Sequence, residues 1–221
     1  MPARPPDLAA PAPDTTPSQP NADDNDALRA QVLAIRHVIG EALPPITDKG
    51  GCGIEAPLRL DAIMLADGAK VTLSPPVVMR ASLASAVADW VRDDLAPAVA
   101  KGDQLASIEG TGGYQCRSRD SIAGAKLSEH AIGNALDLHA LRTEQGKLFV
   151  IAPSKDDSDD VRSFRALMKK TACVRFSTVL GPGADLSHQE HLHIDLAVRR
   201  NGMHLCQWTW QDAEAPAPAK R

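Results

Sequence analysis

The stretch Ser187-His-Gln-Glu-His-Leu-His-Ile-Asp195 decides how the last part of this chain folds, and it holds three of the seven histidines. Side chains two residues apart in a β-strand lie on the same face. A strand here therefore places His191, His193 and Asp195 together on one face. The opposite face carries apolar residues: Leu192, Ile194, Leu196 and Val198. This alternation predicts a strand over residues 191–198 with a polar face and a core face.

A second stretch, Leu127-Ser-Glu-His-Ala-Ile-Gly-Asn-Ala-Leu-Asp-Leu-His139, repeats the alternation. Asp137 and His139 share one face of a predicted strand, and Leu136 and Leu138 share the other. If the two strands lie in one sheet, their polar faces can converge. Imidazole and carboxylate groups together suit Zn²⁺, and three protein ligands with an open fourth position are typical of a catalytic zinc site. Exposed histidines on a solvated strand face are the alternative that the spacing leaves open.

The rest of the sequence mixes helical and strand periodicities, which predicts an α+β domain. Helices are predicted over residues 26–43, 82–100 and 157–173. Short strands are predicted over residues 58–65, 70–73, 107–109, 113–117, 135–141, 148–151 and 176–180. Residues 135–141 and 148–151 are predicted to form a hairpin that turns near Gln145–Gly146. We expect a small, mainly antiparallel sheet with helices packed on one side.

Proline usage divides the 221 residues into a folded domain and two tails, because seven of the 17 prolines fall within the first 20 residues. We predict a disordered Pro/Ala-rich leader over 1–26, one domain over 27–210 and a disordered tail over 211–221. The leader lacks the basic and apolar regions of a signal peptide. A net charge of −4 argues against nucleic-acid binding. No apolar run approaches the roughly 18 residues of a membrane span.

The four cysteines, Cys52, Cys116, Cys173 and Cys206, form no C-x-x-C pair. Their spacing excludes a zinc ribbon and a thioredoxin-type motif. An even number spread over the folded region fits two disulfides in an oxidising compartment. Four buried free thiols are the alternative.

The two histidine-containing stretches also match a known pattern, Ser128-x-His130-x-x-Gly133-x-Ala135-x-Asp137 followed by His191-x-His193. The pattern resembles the signature of the LAS-type zinc peptidases, which include lysostaphin-like, D-Ala-D-Ala-cleaving and hedgehog-related proteins. From about Gly51 to Gln207 the chain is more closely similar to the bacterial extensin-like C-terminal domain family. Five blocks carry this similarity: Gly51–Pro57, Tyr114–Arg117, Leu127–Ala135, Thr178–Pro182 and Cys206–Gln207.

The resemblance implies an LAS/hedgehog-like fold in which His130, Asp137 and His193 hold one Zn²⁺. It further implies a peptidase of the D-Ala-D-Ala carboxypeptidase or endopeptidase type, which hydrolyses an amide bond in a peptidoglycan peptide with metal-activated water. Glu190 and His191 are the two candidates for the general base. The alternation of side chains along a strand favours His191, which would lie on the same face as His193. Glu190 lies at odd spacing from His193 and is favoured only if its segment is irregular.

The resemblance also implies an arginine before the His/Asp motif, and Arg117 and Arg119 are the candidates. A guanidinium there would hold a substrate carboxylate or stabilise a developing oxyanion, with solvated surface arginines as the alternative. Ser128 and Glu129 are expected to orient the loop or a metal ligand. His188 is expected to line the site, unless it is an exposed loop histidine.

Three further histidines have weaker assignments. His139 shares the face of Asp137 and is a candidate for contacting a metal ligand without binding the metal itself. His37 and His204 have no partner in the sequence, so we interpret both as structural or exposed.

The cysteine pattern departs from the family, whose members carry two more, one in the early helical region and one where Val78–Arg80 stands here. This fits the retention of two disulfides, and the expected pairing is Cys52–Cys206, which ties the domain ends, with Cys116–Cys173. A periplasmic or envelope location is expected from the resemblance and the cysteines. The rival functions are a non-catalytic, metal-containing module that binds the cell wall or envelope, and a structural envelope domain with an incidental histidine cluster.

Overall fold

The computed structural model describes residues 22–35, 37–99, 102–119 and 125–209. The first 21 residues of the predicted leader and the whole predicted tail, 211–221, lie outside the described residues. The first helix begins at Ala22, so residues 22–26, which were predicted to belong to the leader, lie in a helix.

Three helices are described: α1 (Ala22–Ala34), α2 (Ala81–Trp90) and α3 (Asp159–Arg175). A π-helical turn (Val91–Leu95) and a 3₁₀ turn (Ala96–Ala98) extend α2. The strands are β1 (Val38–Ala42), β2 (Ile46–Thr47), β3 (Gly53–Ile54), β4 (Pro57–Met64), β5 (Lys70–Arg80), β6 (Leu105–Glu109), β7 (Ala135–Leu138), β8 (Ala140–Thr143), β9 (Leu148–Val150), β10 (Thr178–Leu180), β11 (Leu192–Asp195) and β12 (Leu205–Gln207). No helix among the described residues is long and apolar enough to cross a membrane.

Two larger sheets organise the described strands. One has the order β1-β4-β5-β6-β8-β9, and the other has the order β12-β10-β11-β7, while β2 and β3 form a separate pair. Neighbouring strands are antiparallel except for the parallel pairs β5–β6 and β10–β12. The predicted α+β class and the mainly antiparallel pairing are confirmed, but there are two large sheets where a single small one was expected.

The two sheets share the segment that was predicted as one strand over 135–141. Residues Ala135–Leu138 pair with β11, whereas Ala140–Thr143 pair with β6 and β9. His139 lies between the two pieces, and its backbone N–H donates to Glu109 O at 2.9 Å. The predicted hairpin is confirmed for β8 and β9. The chain thus passes directly from the four-stranded to the six-stranded sheet.

Apolar residues from both sheets and all three helices form one core, in which α2 buries Leu83, Val87 and Trp90. The ring of Trp90 packs edge-on against Phe176, with centroids 5.5 Å apart. The inner faces of β7 and β11 are fully buried by Leu136, Leu138, Leu192 and Ile194. The predicted core faces of both strands are therefore confirmed, and the polar residues that alternate with them occupy the opposite face.

The helix predicted over 26–43 is wrong beyond Ala34. The spacing of Ile35, Ile39 and Leu43 suits a helix, but Val38–Ala42 instead pairs along β4. Gly40 permits this pairing, because a Cβ there would lie 1.9 Å from the carbonyl oxygen of Arg59. Sheet pairing over five residues thus overrides a short helical pattern.

The strand predicted over 113–117 is also absent from the sheets of the described structure. Its backbone makes isolated contacts instead, with Tyr114 N–H donating to Val78 O at 2.9 Å and Gln115 N–H to His130 O at 3.2 Å. The strand predicted over 191–198 is confirmed only for Leu192–Asp195.

The structure has two disulfides, as predicted, but the predicted pairing is wrong. The bonds are Cys52–Cys116 and Cys173–Cys206, with Cα–Cα distances of 5.5 and 5.6 Å. β12 pairs with β10, which directly follows α3, so Cys206 is brought to the end of that helix. Two disulfides point to an oxidising environment outside the cytoplasm.

Candidate metal centre

Strands β7 and β11 bring two predicted ligands together, because His193 lies directly opposite Asp137 in their antiparallel register. The residues on either side of them along the two strands, Leu136, Leu138, Leu192 and Ile194, are buried in the core. Asp137 and His193 therefore both project from the other face, as their alternation predicted. His193 Nδ1 lies 2.9 Å from Asp137 Oδ1.

The third predicted ligand, His130, comes from a 3₁₀ turn, Glu129–Ile132, that precedes β7. Ser128 caps this turn, since its hydroxyl accepts the His130 backbone N–H at 3.3 Å. Gly133 ends the turn with φ 67°, in the left-handed region, and a Cβ there would lie 2.2 Å from Ile54. The turn and its glycine hold His130 beside β7.

The three ligand atoms converge on one point. His130 Nε2 lies 3.1 Å from Asp137 Oδ2 and 3.1 Å from His193 Nδ1. Ligands of a tetrahedral zinc ion with bonds of about 2.0–2.1 Å lie about 3.3 Å apart, so the cluster is close to that size. The described residues thus place His130, Asp137 and His193 where they could hold a metal ion.

The remaining ring nitrogens show which atoms are free to bind. His130 Nδ1 donates to the carbonyl of Gly113 at 2.7 Å, and His193 Nε2 donates to Asp195 Oδ2 at 3.3 Å. The lone pairs of His130 Nε2 and His193 Nδ1 then both face the carboxylate of Asp137. With both imidazoles neutral, three acceptors converge there, and either a metal ion or a second proton on His193 must lie between them. Metal-ligating histidines commonly bond a carbonyl or carboxylate through their other nitrogen. The donor set fits a metal ion.

The electrostatics of the cluster also favour a cation. Burial raises the pKa of Asp137, but hydrogen bonds and charge from His130 and His193 outweigh burial and hold that pKa well below its usual range. Burial lowers the pKa of His193, yet Asp137 and Asp195 outweigh it and raise that pKa to about 9. The carboxylates therefore stabilise positive charge at His193.

His191 lies beside this cluster, just before β11, and 19% of its side chain is exposed. Its Nε2 is 3.8 Å from Asp137 Oδ1, and its ring lies 5.4 Å from that of His139 and 5.0 Å from that of His188. Burial and the neighbouring imidazoles outweigh Asp137 and hold the pKa of His191 below its usual value. Its imidazole is accordingly neutral near pH 7, which is the form that accepts a proton.

His188 and Glu190 differ in their surroundings. His188 is buried, its Nδ1 donates to Asp185 Oδ1 at 2.7 Å, and its ring lies 5.7 Å from that of His193. It therefore lines the site and is not an exposed loop histidine. Glu190 is exposed in an irregular bend that precedes β11.

A cleft of about 150 Å³ opens beside His193. Arg117 and Arg119 both line it; the Arg117 Nε donates to Gln115 Oε1 at 2.9 Å, and an Arg119 nitrogen lies 4.0 Å from Glu129 Oε1. Its other lining residues are Ser128, Glu129, Thr178, Leu180, Asp185, His188, His193, Asp195, Arg199 and Leu205. The two predicted arginines thus lie on the wall of a cleft that adjoins a candidate ligand.

Glu129 and His37 have structural partners, whereas His204 is exposed. Glu129 Oε2 accepts the side-chain N–H of Asn134 at 2.7 Å, which ties the turn to the start of β7. His37 Nδ1 lies 2.6 Å from an Arg92 guanidinium nitrogen, and His204 is exposed. The interpretation of His37 and His204 as structural or exposed is confirmed.

Three groups of the site were not assigned a role by the sequence. Asp195 was placed on the metal face by the period of two, but its bond to His193 was not foreseen. Asp185 supports His188 from three residues away, a spacing that sequence inspection could have found. The carbonyl of Gly113 left no signal, since every residue has a backbone carbonyl.

Comparison with known families places the chain. The sequence model for the Extensin-like protein C-terminus matches residues 29–207, which is most of the 221 residues. The chain therefore belongs to the extensin-like C-terminal family. Neither the curated proteins nor the solved structures contain a match.

Proposed function

We propose that this protein is a zinc-dependent peptidase, related to the LAS-type enzymes, that hydrolyses an amide bond in peptidoglycan peptides. The observation that carries the proposal is the convergence of three metal-binding lone pairs, from His130, Asp137 and His193, beside an open cleft. Zinc in such a site would lower the pKa of bound water and polarise a scissile carbonyl.

His191 is the proposed general base. Its Nε2 lies 3.8 Å from a ligand oxygen, close enough to accept a proton from water at the site and return it to the leaving amine. The alternation of side chains along a strand no longer separates the two candidates, because both His191 and Glu190 precede the first residue of β11. Geometry favours His191, which is near Asp137, over Glu190, which is exposed.

Arg117 is the proposed contact for the substrate. It lies on the cleft wall, and a guanidinium pairs with a carboxylate through two parallel hydrogen bonds. Cell-wall peptides carry free carboxylates, so Arg117 would orient the chain across the ligands. Arg119, which also lines the cleft and is near Glu129, is the second candidate for this contact.

The proposed location is the periplasm or the cell envelope. The two disulfides need an oxidising compartment. Peptidoglycan lies in the same compartment, so the location and the proposed substrate agree.

The full chain, loaded with one equivalent of Zn²⁺ and incubated with purified peptidoglycan, tests the proposal. We expect new amine termini and released peptides, detected by labelling and mass spectrometry. His193→Ala should lose both zinc and activity, and His191→Ala should keep zinc while its kcat falls about 10²–10⁴-fold. His204→Ala, a change at an exposed histidine, is the matched control.

The two possible negative results contradict different parts of the proposal. A zinc content below half an equivalent that is the same in His193→Ala would overturn the metal site. Full zinc content and sedimentation with the wall, without new termini, would instead identify a non-catalytic binding module.

A further inference from the structure

The segment of residues 112–117, here called the floor segment, contacts two of the three candidate ligands. The Gly113 carbonyl accepts from His130 Nδ1 at 2.7 Å, and Gln115 N–H donates to His130 O at 3.2 Å. Gly112 exchanges two backbone hydrogen bonds with Asp137, at 3.0 and 2.8 Å. The floor segment therefore determines where both ligands lie.

Gly113 is tightly confined against β5. A Cβ at this position would lie 2.1 Å from a methyl group of Val77 and 2.6 Å from the carbonyl oxygen of Val78. The next residue, Tyr114, donates its backbone N–H to Val78 O at 2.9 Å. These contacts hold one side of the floor segment against β5. The segment itself is not a strand of any described sheet.

The other side of the floor segment is held by two links, here called the clasp. One is the Cys52–Cys116 disulfide, and the other is the hydrogen bond from the Tyr114 hydroxyl to Asp48 Oδ2 at 2.5 Å. Both links end on one short turn, in which Asp48 N–H donates to Cys52 O at 3.1 Å. Burial and the Asp48 carboxylate raise the pKa of Tyr114 to about 12, so its hydroxyl stays a donor.

From these contacts we infer that the clasp is a positioning element for the metal centre. By holding the floor segment, the Cys52–Cys116 disulfide keeps the Gly113 carbonyl against His130 Nδ1, and so keeps Nε2 as the nitrogen that faces Asp137 and His193. This inference rests on the metal site of the proposed function. It assigns that role to one disulfide and not to the other.

The second disulfide provides a matched comparison. Cys173–Cys206 joins the end of α3 to β12, and β12 is separated from β11 by β10. Neither cysteine lies in the floor segment or in the turn that carries His130. Removal of this disulfide should lower the free energy of unfolding without changing the positions of the metal ligands.

The test compares two double variants of the full chain, Cys52→Ser with Cys116→Ser and Cys173→Ser with Cys206→Ser. Titration with Co²⁺ gives the dissociation constant and the d–d absorption spectrum, which reports ligand geometry. We expect the clasp variant to bind Co²⁺ about 10–100-fold more weakly, with an altered spectrum. The other variant should match the wild type, and equal constants and spectra in both variants would overturn the inference.

A metal-free measurement separates this inference from the proposed function. In ¹⁵N-histidine NMR spectra the wild type should show His130 protonated at Nδ1 and protected from exchange. Loss of that signal only in the clasp variant supports the clasp even if the wild type binds no Co²⁺, whereas its persistence there overturns the inference. Circular dichroism checks folding, and if the clasp variant does not fold, Tyr114→Phe with intact cysteines decides by the same two readouts.

Discussion

Asp195 fixes the orientation of His193 by bonding Nε2, the ring nitrogen that does not face Asp137. Its Oδ1 accepts the backbone N–H of Ala197 at 2.9 Å, which leaves Oδ2 to accept from His193 Nε2. Burial raises the pKa of Asp195, but hydrogen bonds from His193, Thr178 and Ala197 outweigh burial and hold the pKa below its usual range. A charged carboxylate here makes the facing Nδ1 of His193 a more basic ligand.

Asp195→Asn should therefore weaken zinc binding about 10–100-fold while the fold is retained. The asparagine oxygen can still accept a hydrogen bond, but its neutral amide no longer stabilises positive charge on the imidazole. Competition with a chromophoric chelator measures the dissociation constant. Asp156→Asn, at an exposed aspartate, is the control. The same affinity in both variants would contradict the assigned role of Asp195.

The ligands themselves could be predicted from the sequence because side chains carry their identity. Alternation placed Asp137 and His193 on polar faces, and the 128–137 motif added His130. The group that fixes the His130 tautomer could not be predicted, because it is the backbone carbonyl of Gly113. Its position depends on Val77 and Val78, which are far away in sequence.

At the level of elements, strong amphipathic patterns predicted α2, α3 and the β8–β9 hairpin well. The helix predicted over 26–43 was wrong in its last part, because Val38–Ala42 pairs with β4, which no local pattern reveals. The division of residues 135–141 between two sheets also depends on distant partners, Glu109 and β11. Local sequence predicts the type of an element better than its ends or its neighbours.

The buried Arg165 links helix α3 both to β9 and to Asp157, which precedes the helix. Arg165 donates to Asp157 Oδ2 at 2.7 Å and to Val150 O at 3.0 Å, and only 5% of its side chain is exposed. Burial raises the pKa of Asp157, but the Ser154 backbone N–H and the Arg165 guanidinium outweigh burial and lower the pKa below its usual value. The ionised form of Asp157 is therefore favoured by folding.

Asp157→Asn should lower the free energy of unfolding by about 2–3 kcal/mol at pH 7, because it weakens a charge-assisted bond to a buried guanidinium. A depressed pKa makes the contribution complete above the unfolded value near 4, and the contribution is lost as the pH falls through the folded value. The difference between wild type and variant should thus shrink below about pH 4. Urea unfolding at pH 7 and pH 3 measures it.

Asp160→Asn, in the first turn of α3, is the comparison. Asp160 pairs with Lys147 at the surface, where 75% of the aspartate side chain is exposed. Exposed pairs contribute about 0–1 kcal/mol. A loss at Asp160 as large as that at Asp157 would contradict the importance of burial.

Across the described structure the two disulfides close separate, non-overlapping loops of the chain. Their sequence separations are 64 and 33 residues. In the chain-entropy model each bond stabilises the folded state by about 4 kcal/mol. The predicted Cys52–Cys206 bond would have tied the ends of the domain. The pairing could not be predicted, because it depends on β10–β12 pairing and on the path of the floor segment.

A metal ion in the proposed site would join side chains from three elements: β7, β11 and the 3₁₀ turn that carries His130. Because the unfolded chain lacks this arrangement, zinc at 100 times its dissociation constant should stabilise the protein by about 2.7 kcal/mol. For a domain of this size that raises Tm by about 5–11 °C. Differential scanning calorimetry of chelator-treated protein, with and without added zinc, measures the shift. His193→Ala should show no shift, and an unchanged Tm in the wild type would identify the histidine cluster as incidental.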